Sequence, residues 1–250
     1  MAHRGFDLEG RENSMLAFEA AVRRGVDFLE TDVRVTADGV LLAFHDARLD
    51  RVTDRSGRVG DLPWSQVSQA RIRGAEPIPR LEEVLAAWPK VRVNVDLKEA
   101  AAVAPFAATV RRMRAVERVC VASFSDRRRE AAVEALAADG AVAWSPGLRG
   151  IARVVKAARR GRTGGVSRAL AGAACVQVPL RVAGRSLVTA RLVRQVHDAG
   201  AQVHVWTVDD PRDMHRLLDL GVDALVTNRT DLALDALREW AGGASGAATG

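Results

Sequence analysis

The sequence predicts an α/β protein built as a closed parallel (β/α)8 barrel, a TIM barrel, and three observations point there. Its 250 residues suit one such barrel. At 48% apolar content it has material for a substantial core. Short apolar runs alternate with helix-like stretches until eight βα units are counted. An open doubly wound sheet is the alternative, but no Gly-rich phosphate loop follows the first strand.

The first strand is the short run Ala2-His3-Arg4. "SMLAFEAAVRRG" then offers a Ser14 cap, apolar residues at helical spacing and a closing Gly25. "VDFLETDVRV" reads as the second strand and "VLLAFHD" as its antiparallel hairpin partner, because "TADG" between them is too short for a crossover helix. From about 46 to 79 the pattern lapses into turn chemistry with one short helix near 63–70, which marks an insertion. Regular alternation then resumes. Strands are expected at "VRVNVDLK", "RVCVASF", "AVAWS", "ACVQVP", "QVHVWTV" and "DALVTN", with helices between them and a last helix over 229–240. The reading is one domain over residues 1–240, with 241–250 as a tail without order.

Cys120 and Cys175 each sit in an apolar run and are read as reduced, buried thiols. No run reaches the roughly 18 apolar residues of a membrane span and no leader pattern is visible, so the expected location is cytoplasmic. The net charge is +6, and residues 145–200 hold 11 Lys/Arg against the single acid Asp198. Such a stripe suits an anionic lipid surface or a phosphorylated substrate, or is simply solvated. Nucleic acid is not expected, since no binding motif is present and aromatics for stacking are few. Nothing points to a protein partner.

In parallel barrels chemistry sits at the strand ends. Those ends carry His3 and Arg4, Glu30 and Asp32, Asp96 and Lys98, then Ser123, Gln177 and Trp206. Residues two apart share a strand face, so Glu30 and Asp32 project together, as do Asp96 and Lys98. Clustered carboxylates repel and are costly to desolvate. One resolution is a hard divalent cation, Mg2+ or Ca2+, on Glu30, Asp32 and Asp96; the other is a structural ion network with Arg4 or Lys98. His45 directly follows the hairpin strand, and an imidazole beside such a cluster can act as general acid or base. His204 reads as packing, and His197 and His215 as surface groups on helices.

With these residues in place, the chain resembles the glycerophosphodiester phosphodiesterases. "AHRG", "EN" (Glu12-Asn13), "LETDVRVTADGVLLAFHD", "LDRVTDRSGRV", "IPRLEEVL", "NVDLK", "ASF", "VHVWTVDD" and "LGVDALVTNRTDL" occur in that family's order across residues 2–237. Asp96 stands where the family commonly has Glu. The resemblance implies a TIM barrel in which the hairpin and insertion form a small cap. It also implies a divalent cation on Glu30, Asp32 and Asp96, His3 and His45 as the acid–base pair, and Arg4 and Lys98 on the phosphate. Asn13, Ser123, Gln177 and Trp206 are expected in the substrate pocket. The activity implied is hydrolysis of glycerophosphodiesters to an alcohol and glycerol 3-phosphate through a cyclic phosphate. A lysophospholipase D acting at a membrane is the neighbouring reading, and a catalytically silent barrel binding phosphorylated ligands is the reading from another class.

Overall fold

The run Phe28–Val35 is rich in β-branched and aromatic residues and forms an eight-residue strand, around which one unit of the molecule is assembled. The computed structural model describes residues 1–161 and 163–247. By contact the chain divides into residues 2–147 and residues 148–250 with Met1.

The first unit holds strands β1 (Ala2–His3), β2 (Phe28–Val35), β3 (Leu41–Ala43), β4 (Arg71–Ile72), β5 (Glu76–Pro77), β6 (Arg92–Leu97), β7 (Val119–Ala122) and β8 (Ala143–Trp144). Its helices are α1 (Met15–Arg23), α2 (Trp64–Val67), α3 (Leu81–Ala87), α4 (Val103–Arg112) and α5 (Asp126–Leu136). Strands β1, β2, β6, β7 and β8 pair side by side and in parallel. Strand β3 turns back antiparallel on β2, with Val33 opposite Ala43, as the short "TADG" turn requires. Ser14 caps α1 by accepting from the Ala17 amide. Beneath the sheet, Phe18, Leu29, Val33, Leu81, Leu85, Val95 and Phe106 are fully buried in one core.

The insertion after β3 has a core of its own. Phe44, Leu49, Val52, Val59, Val67, Ala70, Ile72 and Ile78 are all buried together. Their irregular spacing hides them from any periodicity count, which is why the segment reads as turn chemistry alone.

In the second unit, β9 (Cys175–Pro179), β12 (Gln202–Trp206) and β13 (Ala224–Leu225) pair in parallel, with β12 central. A small antiparallel hairpin, β10 (Arg181–Val182) with β11 (Arg185–Ser186), follows β9. The helices are α6 (Leu148–Arg159), α7 (Thr163–Leu170), α8 (Ala190–Asp198), α9 (Pro211–Asp219) and α10 (Thr230–Ala247). Neither α7 nor the β10–β11 hairpin is foreseen in the sequence reading. Helix α10 also corrects it, because the helix continues past Trp240 to Ala247 through a stretch expected to lack order. The alanines there favour helix, and the Trp240 indole N–H, donating to Asp219 at 3.2 Å, ties α10 down just before the extension. Residues 248–250 of that expected tail lie outside the described residues. Cys175 is buried and Cys120 half-buried. Among the described residues no helix is long and apolar enough to cross a membrane.

Candidate active site

Strands β2 and β6 lie in a register that sets Asp32 opposite Asp96 and Glu30 opposite Asn94. The two-residue strand period then puts Glu30 and Asp32 on one face. All three carboxylates are deeply buried, with exposures of 6% for Glu30, 1% for Asp32 and 7% for Asp96. Buried acids need counter-charge, and two cations supply it. Lys98 Nζ bridges Asp32 Oδ1 at 2.7 Å and Asp96 Oδ2 at 2.6 Å. Arg4 Nε lies 3.0 Å from Asp32 Oδ2. That contact is an ion pair rather than a hydrogen bond, because the Nε–H is not aimed at a partner.

Strand β1 brings His3 beside this group, opposite Glu30 in the register, with His3 Nε2 3.9 Å from Glu30 Oε2. The Arg4 amide donates to Glu30 Oε2 at 3.1 Å. Arg4 adopts φ +58°, a strained value for an arginine. Its carbonyl accepts from the Asn13 amide at 2.9 Å, and at the neighbouring Gly5 an added Cβ would come within 2.6 Å of the Ala17 carbonyl carbon of α1. Asn13 donates to Asp32 Oδ2 at 3.3 Å and accepts from Thr31 Oγ1 at 2.7 Å. With 1% exposure, Asn13 acts as a buried support for Asp32.

The charges respond as burial and neighbours dictate. Burial, and then the negative charge of Asp32, pushes Glu30 well above the usual carboxylate range. Burial pushes Asp96 up too, against the pull of Lys98. Asp32 would also rise on burial, but Lys98, Arg4 and His45 outweigh that and hold it below its ordinary value. For Lys98 burial works against the charge, and Asp32 and Asp96 more than offset it, so the ammonium is retained.

A second branch begins at the hairpin. The Phe44 amide donates to the Asp32 carbonyl at 2.8 Å, and Arg34 Nε donates to the His45 carbonyl at 3.0 Å, which fixes the backbone of His45 beside β2. His45 Nδ1 is 2.6 Å from Asp46 Oδ1. Asp46 is lowered to about 2, chiefly by the hydrogen bond from Arg51, so it is an acceptor only. Nδ1 therefore carries the proton, and Nε2 of a neutral His45 holds the lone pair. Arg51 also grips Glu12, which accepts from Arg4 Nη1 at 2.9 Å. The two histidines thus stand at opposite ends of one chain of ion pairs and hydrogen bonds.

Ser123, just past β7, is buried. Its hydroxyl donates to the Leu97 carbonyl and accepts from Arg128 Nε, each at 2.9 Å. Gln177 and Trp206 belong to the second unit, Gln177 on β9 opposite His204 and Trp206 at the end of β12 opposite Pro179. His204 is buried, its Nδ1 3.5 Å from Gln177 Nε2 and its Nε2 3.1 Å from the side-chain oxygen Oε1 of Gln202. His197 and His215 pair on the surface with Asp223 and Glu239. Asp46, Arg51 and Arg128 are functional candidates that the sequence reading misses, and for Glu12 it supplies only a motif letter. "HD" and the arginine of "LDR" are visible in the sequence, but what they touch is not.

The donor set fits a hard cation in kind, though not as the side chains now stand. Among the described residues no three His, Cys, Asp or Glu side chains are grouped to hold an ion, because Lys98 lies between Asp32 and Asp96. One feature nonetheless leaves room for a further partner: Asp96 Oδ1 is buried with no hydrogen-bond partner. Carboxylate oxygens in this setting suit Mg2+ or Ca2+.

Comparison with known proteins extends these observations to the whole chain. Residues 3–232 match the pattern of the glycerophosphoryl diester phosphodiesterase family. A Mycobacterium tuberculosis protein described as a probable glycerophosphodiester phosphodiesterase is 42% identical over 246 residues, covering 97% of this chain and 92% of its own. The crystal structure of a glycerophosphodiester phosphodiesterase from Agrobacterium tumefaciens superposes with a TM-score of 0.76 at 24% identity, covering 95% of this chain and 97% of that one. An Oleispira antarctica phosphodiesterase in complex with the product sn-glycerol-3-phosphate gives a TM-score of 0.75 at 21% identity and 95% coverage of each chain. These likenesses show the fold to be the TIM barrel that the alternating elements predict. With its HRG, ExD and HD segments at β1, β2 and β3 and the match across residues 3–232, this chain belongs to the glycerophosphoryl diester phosphodiesterase family.

Proposed function

We propose that this enzyme hydrolyses glycerophosphodiesters, releasing an alcohol and glycerol 3-phosphate by His/His acid–base catalysis. The observation that carries the reading is the chain of ion pairs and hydrogen bonds linking His3 to His45 through Glu30, Arg4, Glu12, Arg51 and Asp46, beside the buried Asp32 and Asp96. The Oleispira relative, held with sn-glycerol-3-phosphate, supports the same product class.

Glu30, Asp32 and Asp96 would hold the divalent cation. When bound, that ion would draw charge from a phosphate oxygen and lower the pKa of the glycerol hydroxyl next to the ester. His45 is suited to take that hydroxyl's proton, because its Nδ1–H is fixed on Asp46 and its Nε2 lone pair is left for the substrate. As the hydroxyl oxygen attacks phosphorus, His3 donates a proton to the departing alcohol and a cyclic phosphate forms. Water then opens the ring with the two roles exchanged. Arg4 and Lys98 offer N–H donors to the phosphoryl oxygens as negative charge builds. For Lys98 this means sharing its ammonium between substrate and the acids it now bridges.

The deciding assay is glycerol 3-phosphate release from a panel headed by glycerophosphocholine, with and without metal. Turnover is expected to stop in chelator and return with Mg2+ or Ca2+. Full activity in chelator would dispose of the cation, and no release from any substrate would dispose of the function.

A second reading, lysophospholipase D activity at a membrane, is favoured by one feature. Arg153, Lys156 and Arg160 of the α6 region and Arg191 and Arg194 of α8 are exposed, and none has a carboxylate within ion-pair reach among the described residues. Helices α6 and α8 pack together, and exposed cations on neighbouring helices suit anionic headgroups.

A further inference from the structure

Arg51 comes from the insertion, yet its guanidinium closes on two carboxylates of the strand-end network at once. On one side Nε and Nη2 donate to Asp46, Nη2 at 3.1 Å from Oδ1. On the other, Nη1 donates to Glu12 Oε2 at 3.1 Å and Nη2 to Oε1 at 2.6 Å. Each carboxylate passes the constraint on. Asp46 Oδ1 holds His45 Nδ1 at 2.6 Å, and Glu12 Oε1 holds Arg4 Nη1 at 2.9 Å.

Stability does not account for this clamp. The Arg51 side chain is 47% exposed, and exposed ion pairs contribute about 0–1 kcal/mol. What a planar, two-sided donor supplies is direction. Its N–H groups leave the guanidinium at fixed angles, so two carboxylates and the groups behind them are held in one mutual geometry. A lysine, with a single donor centre, cannot reproduce that.

We propose that Arg51 is a positioning residue that fixes the His45 imidazole and the Arg4 guanidinium relative to each other. It thereby couples the proton-transfer group to the phosphate-holding group, and it gives the insertion a part in catalysis. The inference rests on the reading of His45 and Arg4 given above, and it deepens that reading. Asp46 and Glu12 are its two arms. Losing the Asp46 arm frees the imidazole to rotate and change tautomer. Losing the Glu12 arm frees Arg4 alone.

The test pairs nitrogen-15 NMR of the His45 ring with steady-state kinetics on glycerophosphocholine, for the parent, Arg51→Ala, Arg51→Lys and Glu12→Gln. In the parent the neutral ring should be the Nδ1–H tautomer. In Arg51→Ala it should shift toward the Nε2–H form that free imidazole prefers, and kcat should fall about 10- to 100-fold, the scale expected of a misplaced catalytic group. Added guanidinium should restore part of that loss, and Arg51→Lys should recover little. Glu12→Gln should raise KM while leaving the His45 tautomer as in the parent. This variant also keeps the question answerable if Arg51→Ala does not fold. An unchanged ring with kcat within twofold in Arg51→Ala, or an unchanged KM in Glu12→Gln, would overturn the clamp with the activity intact. A ring released by Arg51→Ala in a parent that hydrolyses nothing would support the clamp and reject the activity instead.

Discussion

In the first unit Arg4, Arg34, Arg51 and Lys98 each meet a carboxylate at 3.3 Å or less. In the second, Arg153, Lys156 and Arg160 reach outward from the α6 region with no such partner among the described residues. Both stretches are arginine-rich, so composition alone does not explain the contrast. Where chemistry requires fixed directions, each cation is tied down, and the ties run on until they include both histidines. In the α6 region the cations are left solvated.

The sharpest way to break this comparison is to remove an imidazole. His3→Ala and His45→Ala should each lower kcat/KM on glycerophosphocholine by about 10²- to 10⁴-fold, the usual contribution of general acid–base catalysis. A variant within tenfold of the parent would take that histidine out of the mechanism. The second unit should behave differently. Arg153→Gln, Lys156→Gln and Arg160→Gln combined should leave glycerophosphocholine hydrolysis within twofold of the parent, yet weaken co-sedimentation with anionic vesicles. At about 1 kcal/mol per cation near such a surface, the loss should approach 100-fold. Equal sedimentation of parent and triple variant would make this face an ordinary solvated one.

The smallest expected effect concerns acid. Asp46 falls from its ordinary 3.8 to about 2 in the folded protein, first through the Arg51 hydrogen bond and then through His45. A depressed carboxyl contributes stability above its unfolded value and loses that contribution as pH drops toward the folded one. The parent should therefore lose denaturant resistance between about pH 4 and pH 2 more steeply than Asp46→Asn does. The difference should be modest, since solvent screens this half-exposed group. Parallel urea midpoints over that range would read it directly.

Much of this arrangement was legible in the residues. Period-two spacing placed Glu30 beside Asp32 and Asp96 beside Lys98, and the four-residue link "TADG" forced β3 to run backward. The contacts of Lys98 and Arg4 with the acids, one of the two resolutions open for the cluster, are present in the structure. The rest depended on long-range contact. Glu12 and Arg51 are 39 positions apart, and no local pattern says that they touch. The insertion hid its core because Leu49, Val52, Val59 and Ile72 follow no helix or strand repeat. Helix α7 was obscured by Gly164 and Gly165, which weaken the helical signal, and the β10–β11 hairpin by its two-residue strands.

The seat of Gly5 against Ala17 makes helix α1 a gauge block for the backbone that carries Arg4. The backbone there leaves no room even for a methyl group, so a shift of α1 toward Gly5 would press on the residue next door, Arg4. Repacking beneath Phe18, however conservative in volume, is thus a way to reach the Arg4 backbone from below without altering a single polar residue.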